Sequence, residues 1–428
     1  MSERRYPGGG KPQRRAPEQA PPKPASVSPA RAAAFHILHR VMTSAAHSDD
    51  LLHTPAVSAL SAEDRNLATA LVMGVLRWQL QMDNVLRPML QRPDAELHPA
   101  VLLSLRMGLF QLLHMDRIPA HAALNESVEL ARANGAAHAA GMVNAMLRRA
   151  LREKDLPKRQ TLAVARTPEE EAHPEWLIRR WRTNFGTGLA RTIAAYDQAE
   201  PPSNALFAED AELPRIDDGS RLVAELAAAC VVRPARILDC CAAPGGKTAV
   251  LALRHPDAEI VACDVSQKRL DAMRLRLDAD GLAKRVKTRF ADMTRPNPEL
   301  GLFDLILCDA PCSGTGTLGR NPEIRHRLRE SDLARQAERQ IAILTQAAEL
   351  LAPGGRLVYS TCSLEPEENA AVVAAVPGLR SVGVSDLLPT LGAALGALAD
   401  AVHGDALRTL PGQTACDGFF AVLLTRDA

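Results

Sequence analysis

From Ser28 to about Glu153, apolar residues recur at helical spacing. Leu67, Leu71, Val75 and Trp78 lie on one stripe, and Leu102, Leu105, Leu109 and Leu112 on another. Ser61 followed by Asp64 reads as a variant capping box that opens the first of these helices. Pro119 can start a further helix, which Gly135 ends, and the next carries Met142, Met146, Arg148 and Arg149. The pattern predicts an all-α bundle of about five or six helices over 28–153. Residues 154–215 interrupt it with Pro157, Pro168, Pro174, Pro201, Pro202 and Pro214, so a mixed connector is expected, with one short helical piece around Trp176 to Trp181. From about Ile216, β-rich runs alternate with helix-length segments. The runs are Arg236 to Cys240, Glu259 to Asp264, Val286 to Phe290, Phe303 to Cys308 and Gly355 to Thr361. This alternation predicts a parallel, doubly wound sheet over 216–428. The expected fold class is therefore an α domain followed by an α/β domain.

The length of 428 residues accommodates two or three domains, and 46% hydrophobic with 24% charged residues is a globular composition. Lysine plus arginine (51) nearly cancels aspartate plus glutamate (50), so the chain as a whole has no nucleic-acid or membrane signature. Any RNA-binding surface must be local. With 3% aromatics, base-stacking platforms are not the main grip. No apolar run reaches the roughly 20 residues that span a bilayer, and the first residues lack the apolar core of a signal peptide, so a cytoplasmic location is expected. Residues 1–27 hold Arg4, Arg5, Lys11, Arg14, Arg15 and Lys23 among prolines and glycines. They read as a disordered basic tail, either simply solvated or a weak grip on RNA backbone. All eight cysteines lie in the second half, but Cys308 and Cys312 have no second pair at ligand spacing, so no metal is expected.

The segment Ile237 to Thr248 reads as a strand, a glycine turn and the start of a helix. Two nucleotide readings fail on it. A P-loop needs a glycine where Cys241 stands, and the dinucleotide fingerprint Gly-x-Gly-x-x-Gly is absent. Asp264 ends the second strand about 20 residues further on, where a carboxylate can bond ribose hydroxyls. Asp292 ends the third strand and Asp309 the fourth. A glycine turn with carboxylates at three strand ends suits a cationic, ribose-bearing cofactor such as S-adenosylmethionine. The competing reading is that each aspartate only caps the helix after its strand.

Asp309-Ala-Pro-Cys-Ser-Gly-Thr-Gly316 follows the fourth strand and Tyr359-Ser-Thr-Cys-Ser-Leu-Glu-Pro-Glu-Glu-Asn369 the fifth. Adjacent strands would bring Cys312 and Cys362 to the cofactor's rim. Most buried cysteines are inert packing, which suits Cys230, Cys263, Cys308 and Cys416; cysteines at turns after strands are accessible instead. Methylation of a cytosine ring carbon needs such a thiol. Carbon 5 is a poor nucleophile until a thiolate adds at carbon 6, and the carbon-5 proton must then leave, which a second thiol can assist. Asp309 can bond the amino group or ring nitrogen of the pyrimidine, and Lys247 can serve the same site.

Two resemblances bear on these readings. Arg117-Ile-Pro-Ala-His-Ala-Ala-Leu-Asn-Glu-Ser-Val-Glu-Leu-Ala131 with Gly141-Met-Val-Asn-Ala-Met-Leu-Arg-Arg149 resembles the NusB-type RNA-binding helical domain, over about Ser28 to Glu153. Cys241-Ala-Ala-Pro-Gly-Gly-Lys-Thr248, Asp309-Ala-Pro-Cys-Ser313, Ser360-Thr-Cys-Ser363 and Asp417-Gly-Phe-Phe420 together resemble the Sun/Nop family of RNA cytosine carbon-5 methyltransferases. The combination implies a NusB-like bundle followed by a Rossmann-like methyltransferase domain that uses S-adenosylmethionine. By motif, Cys362 matches the family's covalent nucleophile and Cys312 the cysteine that aids product release. Cys241, Ala242, Ala243, Pro244, Gly245, Gly246 and Lys247, with Asp264, Asp292 and Asp309, match its cofactor contacts. The implied partner is 16S ribosomal RNA, with neither DNA nor a membrane, and the implied state is a monomer.

The chain departs from that family in one respect. A small α/β subdomain usually precedes the catalytic sheet, yet only a short stretch separates Pro202 from the helix expected at Ser220 to Ala229. Since that piece helps hold RNA, its reduction bears on substrate choice more than on chemistry. Basic residues nearby are candidates to compensate: Lys268, Arg269, Arg274, Arg276, Lys284, Arg285, Lys287 and Arg289, then Arg320, Arg325, His326, Arg327 and Arg329. They read equally well as solvated faces. The same chemistry on transfer RNA, and a non-catalytic RNA-binding assembly factor, are the alternative functions. Retention of both thiols and a complete glycine loop argues against the second.

Overall fold

The computed structural model describes residues 27–153, 166–210, 213–398 and 400–426; the charges of the basic leading segment and residues 154–165 lie outside them. The first part is helical: α1 (Pro29–Thr43), α2 (Ser48–Leu52), α3 (Pro55–Ser58), α4 (Ala62–Leu86), α5 (Pro99–His114), α6 (Ala120–Ala131) and α7 (Ala140–Glu153). Ser61 caps α4 by accepting from the Asp64 backbone N–H at 3.1 Å, with Glu63 and Asp64 in the electropositive first turn. Pro119 precedes α6, and Gly135 at φ 84° breaks the helical path before α7, as the spacing predicts. Leu71, Val75 and Leu76 of α4 pack with Leu105 and Leu109 of α5 and Leu147 of α7 into one core.

Next come α8 (Pro168–Glu171) and α9 (Glu175–Tyr196). The short piece expected around Trp176 to Trp181 is a 22-residue helix, kinked at Gly186. It is also no mere connector. Leu177, Ile178, Trp181 and Ile193 share a core with Leu318, Leu364 and Leu410, which lie in or beside loops after the strands. Gly186, at φ 82° and ψ 161°, breaks the helical path, and tertiary packing holds the stretches on both sides of it in one core. Residues 197–210 and 213–217 hold no helix or strand.

The second part runs α10 (Asp218–Ala229), β1 (Arg236–Asp239), α11 (Gly246–Arg254), β2 (Glu259–Asp264), α12 (Gln267–Ala279), β3 (Val286–Phe290), β4 (Phe303–Asp309), α13 (Ile324–Arg327), α14 (Asp332–Glu349), β5 (Leu351–Thr361), α15 (Ala370–Ala374), β6 (Leu379–Val382), β7 (Val402–His403), β8 (Ala406–Arg408) and β9 (Phe420–Arg426). The strand order is β3-β2-β1-β4-β5-β9-β8-β7, with β6 also beside β9. The first five strands are parallel. β9 runs antiparallel to β5 and to β6 and β8, so the expectation of a wholly parallel sheet fails at that edge. An antiparallel ribbon needs no crossover helix, and the short runs after α15 contain none.

Side chains alternate across the sheet, so each strand feeds two cores. Ile237, Ile260, Leu305 and Leu307 pack under α10, α11 and α12 with Leu222, Leu226, Leu251 and Leu270. Leu238, Val261, Ile306 and Leu357 pack on the other face with Ile343 and Leu344 of α14. The architecture is an all-α bundle followed by a Rossmann-like sheet. Registers such as Asp239↔Leu307 and Asp309↔Ser360 bring the ends of β1, β4 and β5 to one rim, where such sheets bind ligands.

Candidate functional site

The loop from Cys240 to Gly245 leaves β1 at this rim. Ala242 and Ala243 are buried, and the Ala242 N–H bonds the Cys263 carbonyl at 2.8 Å, tying the loop to the end of β2. Gly245 sits at φ 105° before α11, a conformation that side chains rarely adopt, and a Cβ there would meet Met273 Cγ at 2.8 Å. Pro244 and Gly246 complete the turn, and burial pushes the Cys241 thiol well up, so it stays neutral. Asp239, at the end of β1, was not singled out by sequence. Its Oδ2 accepts from Thr248 Oγ1 at 2.6 Å, its buried Oδ1 has no partner among the described residues, and burial pushes the carboxyl up to about 7.

Asp264 is buried; it accepts from the Ser266 N–H at 2.8 Å and pairs with Arg269 at 3.0 Å. Asp292 accepts from Thr294 N–H and Oγ1, at 3.0 and 2.7 Å, and those bonds hold its carboxyl below the usual range. Both therefore close local turns rather than cap a helix, since Ser266 caps α12 and no α-helix lies between Asp292 and β4, and both stand at neighbouring strand ends. A rim of carboxylates with one glycine turn and an orphaned Asp239 oxygen fits a ribose-bearing cation. The donor set fits S-adenosylmethionine.

Lys247 and Asp309 come together as an ion pair at 2.7 Å, and Ser360 Oγ donates to the same carboxylate at 2.8 Å. Burial works against the Lys247 charge, but Asp309 and Asp217 outweigh it and push its pKa up, so the ammonium persists. It lies 5.6 Å from the Phe419 ring centroid and within electrostatic reach of Cys362. Cys312 and Cys362 meet with their sulfurs 3.4 Å apart, both partly exposed. The hydrogen bond to Cys362 and burial push the Cys312 thiol well up.

The three loops that carry the thiols and the Asp417 motif are knit by backbone. The Gly316 N–H donates to the Cys362 carbonyl at 2.9 Å, and Gly418 N–H to the Gly316 carbonyl at 2.8 Å. A Cβ on Gly316 would lie 2.2 Å from the Gly418 oxygen. Backbone cannot yield cheaply there. Gly316→Ala is expected to cost about 1–3 kcal/mol or more and to part the two sulfurs, which thermal unfolding and thiol alkylation rates check. Asp417 itself is buried against Arg320 at 2.5 Å and Tyr196 at 3.3 Å, and burial raises its carboxyl to about 6.

The basic run after Cys312 is not a phosphate surface. Arg325 is 2% exposed and donates to the carbonyls of Arg77, Ala172, Asp197 and Leu318. His326 bonds the Leu76 carbonyl at 2.7 Å, and Arg327 reaches the carbonyls of Val41 and Ala46. Glu323 accepts from Ser48 N–H and Oγ, and Arg77 donates back to the Gly319 carbonyl. These side chains join the helical bundle to the segment after the Cys312 loop; Arg329 alone of the run is exposed. In the earlier group, Arg269, Arg274, Arg285 and Lys287 bond within the sheet domain, and all eight except the half-buried Arg285 are exposed. Charge counts could not separate these fates, because burial of each arginine depends on carbonyls far away in sequence.

The family model described as 16S rRNA methyltransferase RsmB/F matches residues 231–425, and the NusB family model matches 28–152. The probable ribosomal RNA small subunit methyltransferase B of Bacillus subtilis is 32% identical over 79% of this chain and 86% of its own. The corresponding protein of Xanthomonas campestris is 34% identical over 87% of this chain and 91% of its own. The solved structure of PH0851 covers 94% of this chain and 100% of its own at a TM-score of 0.71; at 23% identity it speaks to the fold alone. Two family matches that divide the chain as the bundle and the sheet do, and relatives above 30% identity over most of both chains, settle the class of the rim. The chain belongs to the RsmB/F family of S-adenosylmethionine-dependent rRNA methyltransferases.

Proposed function

We propose that the chain methylates carbon 5 of a cytosine in 16S ribosomal RNA through a covalent bond between Cys362 and the ring. The contact of Cys312 and Cys362 at 3.4 Å, beside the Lys247–Asp309 pair, carries this reading. S-adenosylmethionine supplies the methyl group as an electrophile on sulfonium. Cys362, as thiolate, adds to carbon 6 and makes carbon 5 enamine-like. Asp309, oriented by Lys247 and Ser360, bonds the amino group or ring nitrogen of the pyrimidine and favours that addition. After methylation the carbon-5 proton passes to water, its electron pair re-forms the ring double bond, the Cys362 sulfur leaves carbon 6 as thiolate, and the neutral Cys312 thiol assists that release by donating to it.

Cofactor contacts fall to Cys241, Ala242, Ala243, Pro244, Gly245, Gly246 and Lys247 with Asp264, Asp292 and Asp309, to which Asp239 is added. Gly245→Ala is expected to weaken S-adenosylmethionine binding about tenfold or more, since strain at positive φ costs on the order of 1–3 kcal/mol; calorimetry without RNA measures it. In this reading residues 28–153 bind RNA, 216–428 catalyse, and the protein works as a cytoplasmic monomer. The names of its relatives, which specify small-subunit ribosomal RNA, support the substrate. No described helix is long and apolar enough to cross a membrane. Exposed Lys268, Arg276, Lys284 and Arg289 are the phosphate contacts this reading retains. RNA carrying tritium at cytosine carbon 5 tests the chemistry: incubation with protein and S-adenosylmethionine releases tritium to water, whereas methylation of any other atom releases none.

A further inference from the structure

Strand pairing does not set the distance between the two thiols. The β4–β5 ladder ends at Asp309↔Ser360, and Cys312 and Cys362 lie beyond it in separate loops. Glu368, fully buried, spans the gap. Its Oε1 accepts from the Ser313 N–H at 2.8 Å and from Gln340 Nε2 at 2.9 Å. Its Oε2 accepts from Ser363 Oγ at 2.5 Å and from Ser313 Oγ. Ser313 follows Cys312 in the chain, Ser363 follows Cys362, and their hydroxyls are 3.0 Å apart. Acceptor contacts at both oxygens are the pattern of an ionised carboxyl. These partners are all neutral, so desolvating the charge is offset only by hydrogen bonds. An apolar residue could fill the space without that cost but could not bond both loops.

We propose that Glu368 is a positioning residue that clamps the Cys312 and Cys362 loops together, so that both thiols address one pyrimidine. The proposal rests on the two-thiol reading above. Thiols that act in sequence on one ring need fixed geometry, and misplacement by about 1 Å can cost on the order of a hundredfold. The carboxylate has a second effect. Together with Cys362 and burial, its charge favours the neutral form of Cys312, against which the Gly314 backbone N–H works; the nearby Tyr359 stays neutral, and Lys247 faces Cys362 from α11. The clamp's charge therefore adds to the Cys362 contact and the burial that keep the proton on Cys312.

Glu368→Gln tests the clamp. Glutamine fills the same volume, and both serine hydroxyls can turn to accept from its amide, so the fold is expected to persist. In the full chain without RNA or cofactor, iodoacetamide labelling of Cys312 and Cys362 is followed over a neutral-to-alkaline pH series and mapped by mass spectrometry. The expected result is an unchanged unfolding temperature, a Cys312 labelling midpoint moved to lower pH, and kcat down about a hundredfold with the RNA KM unchanged. Glu368→Asp restores the charge but not the reach, so the midpoint returns while kcat stays low. An unchanged midpoint with kcat within about twofold of the parent overturns the proposal, as does a loss of activity that only follows the unfolded fraction. Failure of the two-thiol reading shows separately, as methyl transfer by Cys362→Ala.

Discussion

Cys362→Ala is expected to abolish methyl transfer, with a loss on the order of ten-thousand-fold or more, while Cys312→Ala leaves RNA covalently attached. The two outcomes differ because the thiols meet at 3.4 Å but are assigned unlike tasks. Without Cys362 nothing adds to carbon 6, and carbon 5 stays too weak a nucleophile to take the methyl. Without Cys312 the addition and methylation proceed, but release of the adduct is slowed. The adduct is then seen as a denaturation-resistant band carrying both RNA and protein. In the double variant the band disappears, since the bond it reports belongs to Cys362. If Cys312→Ala forms no adduct and Cys362→Ala retains transfer, the division of labour between the thiols is wrong.

Arg325→Met carries the second large effect, and it falls on stability. The guanidinium is buried, bonds four carbonyls, and faces the buried Asp197 carboxyl; burial lowers its pKa to about 10, which still leaves it charged at neutral pH. Methionine fills part of the volume but leaves the carbonyls unpaired. Removing one partner from such a buried arrangement costs about 3–5 kcal/mol. At roughly 2–4 °C per kcal/mol for a domain of this size, Tm falls by about 10 °C. RNA affinity measured below the new Tm should keep its salt dependence. A phosphate-contacting arginine would do the opposite, lowering the salt slope by about one unit with Tm unmoved. Calorimetry and a salt titration therefore tell a joint between domains from an RNA contact.

Much of the fold can be read directly from the chain. Strands β2 and β3 match their predicted bounds, Ser61 caps the helix it was expected to cap, and Gly135 interrupts the chain where the pattern stops. Those features depend on local chemistry, such as hydroxyl caps, positive φ and β-rich runs bounded by turns. The features that escaped depend on distant partners. Helix α9 extends past the expected piece because Trp181 and Ile193, on either side of the break at Gly186, both find Leu318 and Leu364. The antiparallel β9 needs the short β6 and β8, which are too brief to give a pattern.

Within the site, the motif residues that cluster are Lys247, Asp309, Cys312 and Cys362, whereas Asp264 and Asp292 also serve local turns. Glu368 was hidden in Glu365-Pro-Glu-Glu368, where Glu365 and Glu368 are buried and Glu367 is exposed. Only the path of the loop separates them. Its one sequence signal was the position a few residues after Cys362 in the same motif.

The central claim, methylation of a 16S ribosomal RNA cytosine at carbon 5, is tested most directly by bisulfite sequencing of total RNA from cells with and without the gene. One cytosine of 16S ribosomal RNA, protected from conversion in the parent, is predicted to convert in the deletion strain and to regain protection with the intact gene but not with Cys362→Ala. If every 16S cytosine converts equally in both strains, or if the lost site lies in transfer RNA, the proposed substrate is contradicted; if no cytosine changes in any RNA, the chemistry is contradicted as well.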